Sequence, residues 1–193
     1  MCIRDRITAD EVLTEPGGYR AIADVTSLVR AGRDIWVADL VAGTGPNSFA
    51  GWSLIVVHAG DGTTRDIAVF DGLRSVREDA AVEIDTTMST GGRVDGELVV
   101  VGFEGEPGLG SDGVSAGGQE FISARNPVDD LMNSTIANGD EIVAARSPAF
   151  VNTLGTDSDR LGFSGWDTGA APLRFVTSGD RYLLAAVVVE VRV

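Results

Sequence analysis

The fold is decided by two apolar runs, Gly51-Trp52-Ser53-Leu54-Ile55-Val56-Val57-His58 and Arg65-Asp66-Ile67-Ala68-Val69-Phe70-Asp71-Gly72. Between them lies Gly60-Asp61-Gly62-Thr63-Thr64, which is rich in residues that favour turns. Apolar runs with β-branched residues on both sides of such a turn are typical of a β-hairpin. We therefore predict a long hairpin at the centre of a sheet, and with it an all-β fold.

The rest of the chain favours the same class. Shorter apolar runs predict further strands at 19–25, 34–40, 80–85, 98–103, 119–123, 131–136, 172–177 and 181–193, the last two forming a closing hairpin. No segment of ten or more residues has the 3.6-residue period of a helix. Residues 104–118 are predicted to be a long surface loop, and residues 146–169 carry little periodicity. The predicted fold is an antiparallel β-sandwich, jelly-roll-like, with long Gly/Asp-rich loops.

The length of 193 residues suits one large β-domain. Residues 1–6, Met1-Cys2-Ile3-Arg4-Asp5-Arg6, lack the apolar core of a signal peptide and resemble a translated adaptor sequence. We predict that they are a non-native leader, and that residues 7–193 form a single β-sandwich domain, a fragment of a longer protein. The one cysteine, Cys2, lies in this leader, so no internal disulfide is expected.

The formal net charge of −14 restricts the possible partners. It argues against nucleic acid and against anionic lipid surfaces, because both would repel an acidic chain. No apolar run reaches the roughly 18 residues that a membrane-spanning helix needs, so no membrane insertion of this segment is expected. The favoured partners are cations, neutral sugars or a basic protein surface.

Several residues are candidates for metal binding. Asn152, Asp157 and Asp159 lie close together in sequence, and calcium prefers six to eight hard oxygen ligands of this kind. They lack the EF-hand pattern, and solvated, turn-forming side chains remain the alternative. A second acidic group, Glu104, Glu106 and Asp112, is a weaker candidate. Calcium is the only cofactor that the sequence suggests, since a zinc site would need more His and Cys ligands than the chain has.

Other side chains bear on catalysis and ligand binding. His58 is the only histidine, and it is expected to lie at the end of a strand without the orienting partners of a catalytic triad. Trp52 lies within an apolar strand and is predicted to be core, whereas Trp166, flanked by glycine and aspartate, is the better exposed ligand-binding candidate. Trp36 could extend a sugar-stacking platform. Two carboxylates at a fixed separation would also serve a glycosidase.

An ordered series of motifs resembles a domain of unknown function in large secreted or cell-surface proteins of Gram-positive bacteria. The series comprises Ala23-Asp24-Val25-Thr26, Phe49-Ala50-Gly51-Trp52-Ser53-Leu54, Phe70-Asp71-Gly72, Phe103-Glu104-Gly105-Glu106, Asn126-Pro127, Asn133-Ser134-Thr135-Ile136, 152–159 and Thr177-Ser178-Gly179-Asp180-Arg181-Tyr182. In that family the domain often lies ahead of Ig-like repeats. Glu106 departs from the pattern, since an aspartate is more usual there.

The resemblance implies an extracellular, secreted or cell-surface location and no catalytic residues. We therefore expect a non-enzymatic module with a structural or adhesive role. Its expected partners are other domains of the same surface protein, and a glycan or a host or cell-surface protein. A carbohydrate-binding module and a carboxylate-based glycan hydrolase are the alternatives.

Overall fold

The computed structural model describes residues 5–16, 18–30, 32, 34–46, 48–60 and 62–193. These residues form strands and irregular segments, with no helix among them, which confirms the all-β prediction. The strands are β1 (Glu11–Glu15), β2 (Gly18–Ile22), β3 (Arg65–Val76), β4 (Val82–Ile84), β5 (Arg93–Phe103), β6 (Gly113–Ala116), β7 (Gln119–Glu120), β8 (Ile136–Asn138), β9 (Glu141–Ile142), β10 (Thr156–Asp167), β11 (Leu173–Val176) and β12 (Tyr182–Arg192).

Two sheets pack together in a sandwich-like arrangement. The larger has the strand order β3-β12-β5-β10-β8-β9, and the smaller has the order β4-β11-β6-β7. All pairs are antiparallel except β8 with β10, which makes the larger sheet mixed. The strands β1 and β2 form a separate two-stranded sheet. The part of the chain that the structure describes contains no helix with the length and apolarity needed to cross a membrane.

The core lies between the larger and the smaller sheet, because the inward positions of these two sheets carry nearly all of the buried apolar side chains. The strand β12 is buried along most of its length, since β3 and β5 flank it on either side. Its continuous apolar run therefore suits a central strand. From the smaller sheet, Val114, Leu173 and Phe175 pack into the same cluster.

A cluster of aromatic rings fills one part of this core. Phe163 and Trp166 both face inward although they are three residues apart, because the pairing of β10 with β5 is irregular between them. Their rings meet edge to face, with centroids 5.1 Å apart, and Phe121 packs edge to face against both. Edge-to-face pairs stabilise the core beyond the area that they bury.

The predicted central hairpin is wrong. Residues 51–58 form no strand, whereas β3 lies at the edge of the larger sheet and pairs with β12, more than a hundred residues later. Residues 34–40 also form no strand. The β-branched composition of these segments indicates only that they fit a sheet surface, and pairing depends on which partner is available.

Two other predictions need correction. The proposed closing hairpin does not exist, because β11 belongs to the smaller sheet and β12 to the larger one. Residues 146–169, where no periodicity was expected, contain β10, which lies inside the larger sheet. The predicted strand at 131–136 is reduced to the short β8, and the predicted loop 104–118 contains β6.

The predicted leader falls almost wholly outside the described residues. Residues 1–4 lie outside them, while Asp5 and Arg6 are exposed and irregular. The first described strand is β1, which pairs with β2.

Four connections meet at one end of the sandwich and form what we call the loop cluster: residues 104–112, 121–135, 143–155 and 177–181. Hydrogen bonds join them, from Glu104 N–H to Gly155 O (2.7 Å), from Ser178 N–H to Ser111 O (3.0 Å) and from Thr153 N–H to Ser134 O (2.9 Å). The loop cluster therefore covers the beginning of β10.

Candidate functional site

The strand β10 carries two carboxyl groups into the interior beneath the loop cluster. Every second residue from Asp157 to Phe163 is buried, so Asp157 and Asp159 share the inward face of the strand with Leu161 and Phe163. Asp157 and Asp159 are both 0% exposed. Ionisable side chains are almost never fully buried unless they are paired, which makes these two the most unusual residues of the fold.

A third carboxyl group lies near enough to Asp157 to raise its pKa. Asp112 precedes β6 and is 3% exposed. Its Oδ1 accepts hydrogen bonds from the backbone N–H groups of Leu131 and Met132, each at 2.7 Å. Asp112 therefore fixes the segment that closes over β10. We call Asp112, Asp157 and Asp159, with the buried amides Asn126 and Asn133, the buried carboxyl cluster.

Several atoms of this cluster have no hydrogen-bond partner among the described residues. They are both carboxyl oxygens of Asp159, Oδ2 of Asp157 and Nδ2 of Asn126. The other oxygen of Asp157, Oδ1, accepts a hydrogen bond from the Thr135 N–H at 3.1 Å. A buried polar atom without a partner costs on the order of 1–3 kcal/mol, and more when it is charged. The cluster therefore carries an unmet requirement for a partner.

The two amides are held in fixed orientations. Asn133 Nδ2 donates to the carbonyl oxygens of Arg125 and Asp130, each at 2.9 Å, and to Oδ1 of Asn126 at 3.1 Å. Thr135 Oγ1 donates to Asn133 Oδ1 at 2.6 Å. Because Oδ1 of Asn126 faces Asn133, its Nδ2 is directed towards Asp159, where it partly opposes the rise in the pKa of Asp159 that burial causes.

Burial dominates the electrostatics of the cluster. Desolvation raises the pKa of Asp112 to about 6, against the opposing effect of its two backbone hydrogen bonds. Desolvation and the nearby Asp112 raise the pKa of Asp157 to about 7. Desolvation and the nearby Asp157 raise the pKa of Asp159 to about 8. Strongly shifted pKa values of this kind are frequent at functional sites.

A surface pocket of about 300 Å³ lies beside the cluster. Its lining includes Glu104, Gly105, Glu106, Ser134 and Asn152. Ser134 Oγ donates to Gly105 O at 2.5 Å and accepts from Gly155 N–H at 2.8 Å. These bonds hold the wall between the pocket and the buried carboxyl groups.

Gly105 is the thinnest part of this wall. A Cβ at this position would lie 2.3 Å from the Met132 carbonyl oxygen and 2.6 Å from Asp157 Oδ2. Met132 and Asp157 therefore pack so closely against the backbone at this position that only glycine fits there.

One glutamate that lines the pocket, Glu106, interacts with a neighbouring carboxyl group, that of Asp180. A hydrogen bond with Asp180, together with desolvation and the charge of Asp180, raises the pKa of Glu106 to about 7. Glu104 instead pairs with Arg181, at 2.9 Å between Oε2 and Nη2. The pocket is therefore acidic, and one of its two glutamates has a cationic partner.

The structure separates the metal ligands that the sequence suggests. Asp157 and Asp159 share the buried face of β10, whereas Asn152 lies on the surface and accepts a hydrogen bond from Leu154 N–H at 2.8 Å. Asn152 therefore forms a turn and lines the pocket. Of the second acidic group, only Asp112 joins the buried carboxyl cluster, while Glu104 and Glu106 face the pocket.

The tryptophan predictions are reversed. Trp166 is 2% exposed and belongs to the aromatic core, so the expectation that it is exposed is wrong. Trp52, predicted to be core, is 44% exposed, and Trp36 is 73% exposed. His58 lies outside any strand, and its Nδ1 is 2.9 Å from the carbonyl oxygen of Ala59.

Sequence reasoning missed the contributions of Asn126 and Asn133. Both lie in motifs quoted for the family resemblance, Asn126-Pro127 and Asn133-Ser134-Thr135. Asparagine in such short polar motifs favours turns on general grounds. Nothing in their local sequence places them against β10.

Within the described residues, no group of three His, Cys, Asp or Glu side chains stands close enough together to enclose a metal ion. An ion here would need oxygens of other kinds beside the carboxylates. Scans against family models, curated proteins and solved structures found no match to the chain.

Proposed function

We propose that the chain is a non-enzymatic extracellular module of a bacterial surface or secreted protein, with a structural or adhesive role. The observation that carries the proposal is the pair of packed sheets whose long connections gather in one loop cluster. A rigid scaffold that presents loops at one end is a common way to build a binding surface. The ordered motif resemblance supports the same role.

The strand order supports a jelly-roll arrangement within this module. Four strands of the larger sheet run in the order β3-β12-β5-β10, and the smaller sheet runs β4-β11-β6-β7. Successive strands β3 to β6, and again β10 to β12, change sheet along the chain. Connections that pass repeatedly between two sheets are what two Greek keys require.

The proposed partners are other domains of the same surface protein, and a glycan or a host or cell-surface protein. The charge of −14 favours a neutral or basic partner surface. The acidic pocket of Glu104 and Glu106 lies within the loop cluster, where such a partner would make contact.

The positions of the carboxyl groups support a non-catalytic role over a glycan hydrolase. A glycosidase needs two carboxyl groups about 5–10 Å apart on either side of an accessible bond. Glu106 and Asp180 are hydrogen-bonded to each other, which is closer than that separation. Asp157 and Asp159 are fully buried, so a sugar has no access to them.

A carbohydrate-binding module is the second candidate, because two tryptophan rings are exposed. Trp36 and Trp52 lie in the irregular segments 34–46 and 48–60. Exposed indole rings stack on sugar faces while their N–H groups bond to polar partners. Affinity electrophoresis of the chain through gels with soluble polysaccharides, with W36A and W52A beside the wild type, tests this alternative.

The surface role is tested by binding and turnover measured in one sample. We expect the fluorescently labelled chain to bind intact cells or matrix-coated surfaces at saturable sites, without release of reducing sugar. An antibody against the chain should label intact, unpermeabilised cells of the organism that carries the gene. Sustained release of sugar would contradict the non-enzymatic role, and labelling that appears only after permeabilisation would contradict the location.

A further inference from the structure

The connection 143–155 of the loop cluster turns three large apolar side chains into solvent. Phe150 is 66% exposed, Val151 is 58% exposed and Leu154 is 77% exposed. Single exposed apolar side chains are common on protein surfaces, whereas a group of them in one short loop indicates a surface that contacts a partner. We call Phe150, Val151 and Leu154 the apolar tip.

Hydrogen bonds hold the loop on either side of the tip. The guanidinium of Arg146 donates to the carbonyl oxygens of Val143 at 3.3 Å and of Pro148 at 2.6 Å, and also to that of Phe150. One charged side chain thereby ties three carbonyl groups together, and hydrogen bonds from a charged donor are the stronger kind. The loop therefore presents Phe150 from a fixed backbone.

The backbone of Leu154 is fixed in a similar way. Its N–H donates to Asn152 Oδ1 at 2.8 Å, and the following N–H, that of Gly155, donates to Ser134 Oγ at 2.8 Å. Leu154 has a φ of 55°, in the left-handed region that residues other than glycine rarely adopt. Such a conformation persists only where the surrounding structure enforces it. The exposure of the tip is therefore built into the fold.

The apolar tip borders the surface pocket of about 300 Å³. Leu154 and Phe49 line this pocket, so part of its wall is apolar. Glu104 and Glu106 line it as well, and they make another part of the wall acidic. Apolar contact area and negative charge therefore lie side by side on one surface.

We propose that the apolar tip and the surface pocket form one docking surface for a protein partner that presents a basic side chain beside apolar ones. Lysine and arginine lay their aliphatic stems along apolar groups while the charged end stays in polar surroundings. Leu154 would contact the stem, and the carboxyl groups of Glu104 and Glu106 would face the charged end. This docking surface presupposes the proposed adhesive role and gives the chemistry of its partner. A lipid surface fits less well, because the net charge of −14 repels anionic headgroups.

Short synthetic peptides, capped at both ends, are the probes. One alternates leucine and lysine, another alternates leucine and glutamate, and a third alternates serine and lysine. At about pH 8, Glu106 with its pKa of about 7 is mostly ionised. In fluorescence anisotropy at about 0.15 M salt, which screens distant charges, we expect the leucine–lysine peptide to saturate a single site. The other two should bind at least about tenfold more weakly, since each lacks one half of the match.

Variants of the tip test the apolar half of the surface. We expect F150S/L154S to weaken binding of the leucine–lysine peptide by about tenfold or more, because it removes the apolar contact. Binding of the serine–lysine peptide should not change. The matched control is V41S/V57S, which removes two valines outside the loop cluster that are 80% and 60% exposed. It should leave the binding of every peptide unchanged.

Variants of the pocket test the charged half. E106Q/D180N removes both members of the hydrogen-bonded carboxyl pair, and it should weaken both lysine peptides by about tenfold. The matched control is E120Q/D167N, which removes two exposed carboxyl groups. Asp167 ends β10 away from the loop cluster, and Gln119, next to Glu120, bonds to Ser164 near that end. This control should bind as the wild type does.

Three results would overturn the proposal. The first is a leucine–lysine peptide that binds no more tightly than the other two. The second is binding of that peptide that survives F150S/L154S or E106Q/D180N. The third is wild-type binding to neutral phosphatidylcholine vesicles that F150S/L154S loses, without any preference among the peptides, which would assign the tip to a lipid surface.

The cell-binding assay separates the docking surface from the adhesive role. If F150S/L154S binds cells as well as the wild type does, the docking surface is wrong and the adhesive role stands. If the peptide preference holds but the wild type binds no cells, the adhesive role fails while the docking surface stands.

Discussion

Trp166 and Trp52 are the same residue type in opposite environments, and this contrast sets the first prediction. Trp166 meets Phe121 and Phe163 edge to face inside the core, whereas Trp52 is largely in solvent. We expect W166A to lower the free energy of unfolding by about 3–5 kcal/mol, because it opens a large cavity. W52A should lower it by less than about 1 kcal/mol.

Urea unfolding followed by circular dichroism measures both values, and W36A serves as a second exposed control. Equal losses for W166A and W52A would mean that Trp52 also packs in a core. That result would place the Trp52 side chain against a sheet, contrary to its 44% exposure.

The contact between Glu106 and Asp180 sets the second prediction. The folded chain holds the pKa of Glu106 at about 7, whereas the unfolded chain should titrate near 4.5. Folding therefore takes up a proton between these two values. The contribution of Glu106 to stability is complete below about pH 4.5 and is lost as the pH rises to about 7.

Carboxyl carbon chemical shifts, followed by NMR from pH 3 to 9 (the range is set by about two units around each pKa), measure this titration. We expect D180N to return the pKa of Glu106 towards its ordinary value, because the substitution removes the hydrogen bond between the two carboxyl groups and the charge of Asp180. D167N, an exposed position at the other end of β10 from the loop cluster, should leave the titration unchanged. A Glu106 pKa that stays near 7 in D180N would assign the shift to desolvation.

At the scale of elements, the pairing of β5 with β10 and β12 depends on a close approach at Gly96. A Cβ on Gly96 would lie 2.0 Å from the Glu190 carbonyl oxygen and 2.7 Å from the Phe163 ring. Gly162 on β10 faces outward, and nothing lies within 4 Å of the Cβ that it lacks. Substitution of Gly96 therefore tests the close approach of the strands, and substitution of Gly162 on the outward face is the control.

We expect G96A to destabilise the chain by more than about 2 kcal/mol, since backbone must move to relieve the contact. G162A should be neutral or stabilising by up to about 1 kcal/mol, because alanine restricts the unfolded chain. Urea midpoints with unchanged slopes measure both. A G96A protein as stable as the wild type would show that β5 and β12 are further apart at this position.

Local sequence predicts some elements and not others for a physical reason. The apolar run of β12 is recognisable because its side chains are buried on both faces. The strand β10 was missed because its first inward positions are Asp157 and Asp159, and aspartate ordinarily marks a turn or a surface. Residues 51–58 show the opposite error, in which a strand is predicted where none forms. Their apolar pattern indicates that they fit a sheet face but does not determine which strand they would pair with.

The candidate site was predictable only in part for the same reason. The sequence identifies Asp157 and Asp159 as a pair that can face one side of a chain segment. It cannot bring Asp112 or Asn126 to them, because those residues lie from 31 to 47 positions earlier in the chain. Exposure of a tryptophan likewise depends on the sheet that covers it. The predicted environments of Trp166 and Trp52 are therefore the reverse of those in the structure.

At the scale of the whole molecule, the net charge of −14 opposes compaction. There are 29 acidic and 15 basic residues, so at least 14 of the carboxylates have no arginine to pair with. Repulsion among like charges destabilises the folded state, in which the charges are closest. Salt weakens this repulsion because the Debye length falls from about 30 Å at 0.01 M to about 8 Å at 0.15 M.

We therefore expect sodium chloride, raised over that range, to increase the melting temperature by a few degrees, on the order of the shift for 1 kcal/mol in a chain of this size. A chelator present throughout removes divalent ions, so the effect stays separate from any calcium site. D159N should show the same salt response as the wild type, because a fully buried carboxyl group is screened much less than an exposed one. A melting temperature that stays flat or falls with salt would contradict this prediction, because screening would then remove more attraction than repulsion. The surface ion pairs, such as Arg160 with Glu97 at 2.6 Å, would in that case outweigh the general repulsion.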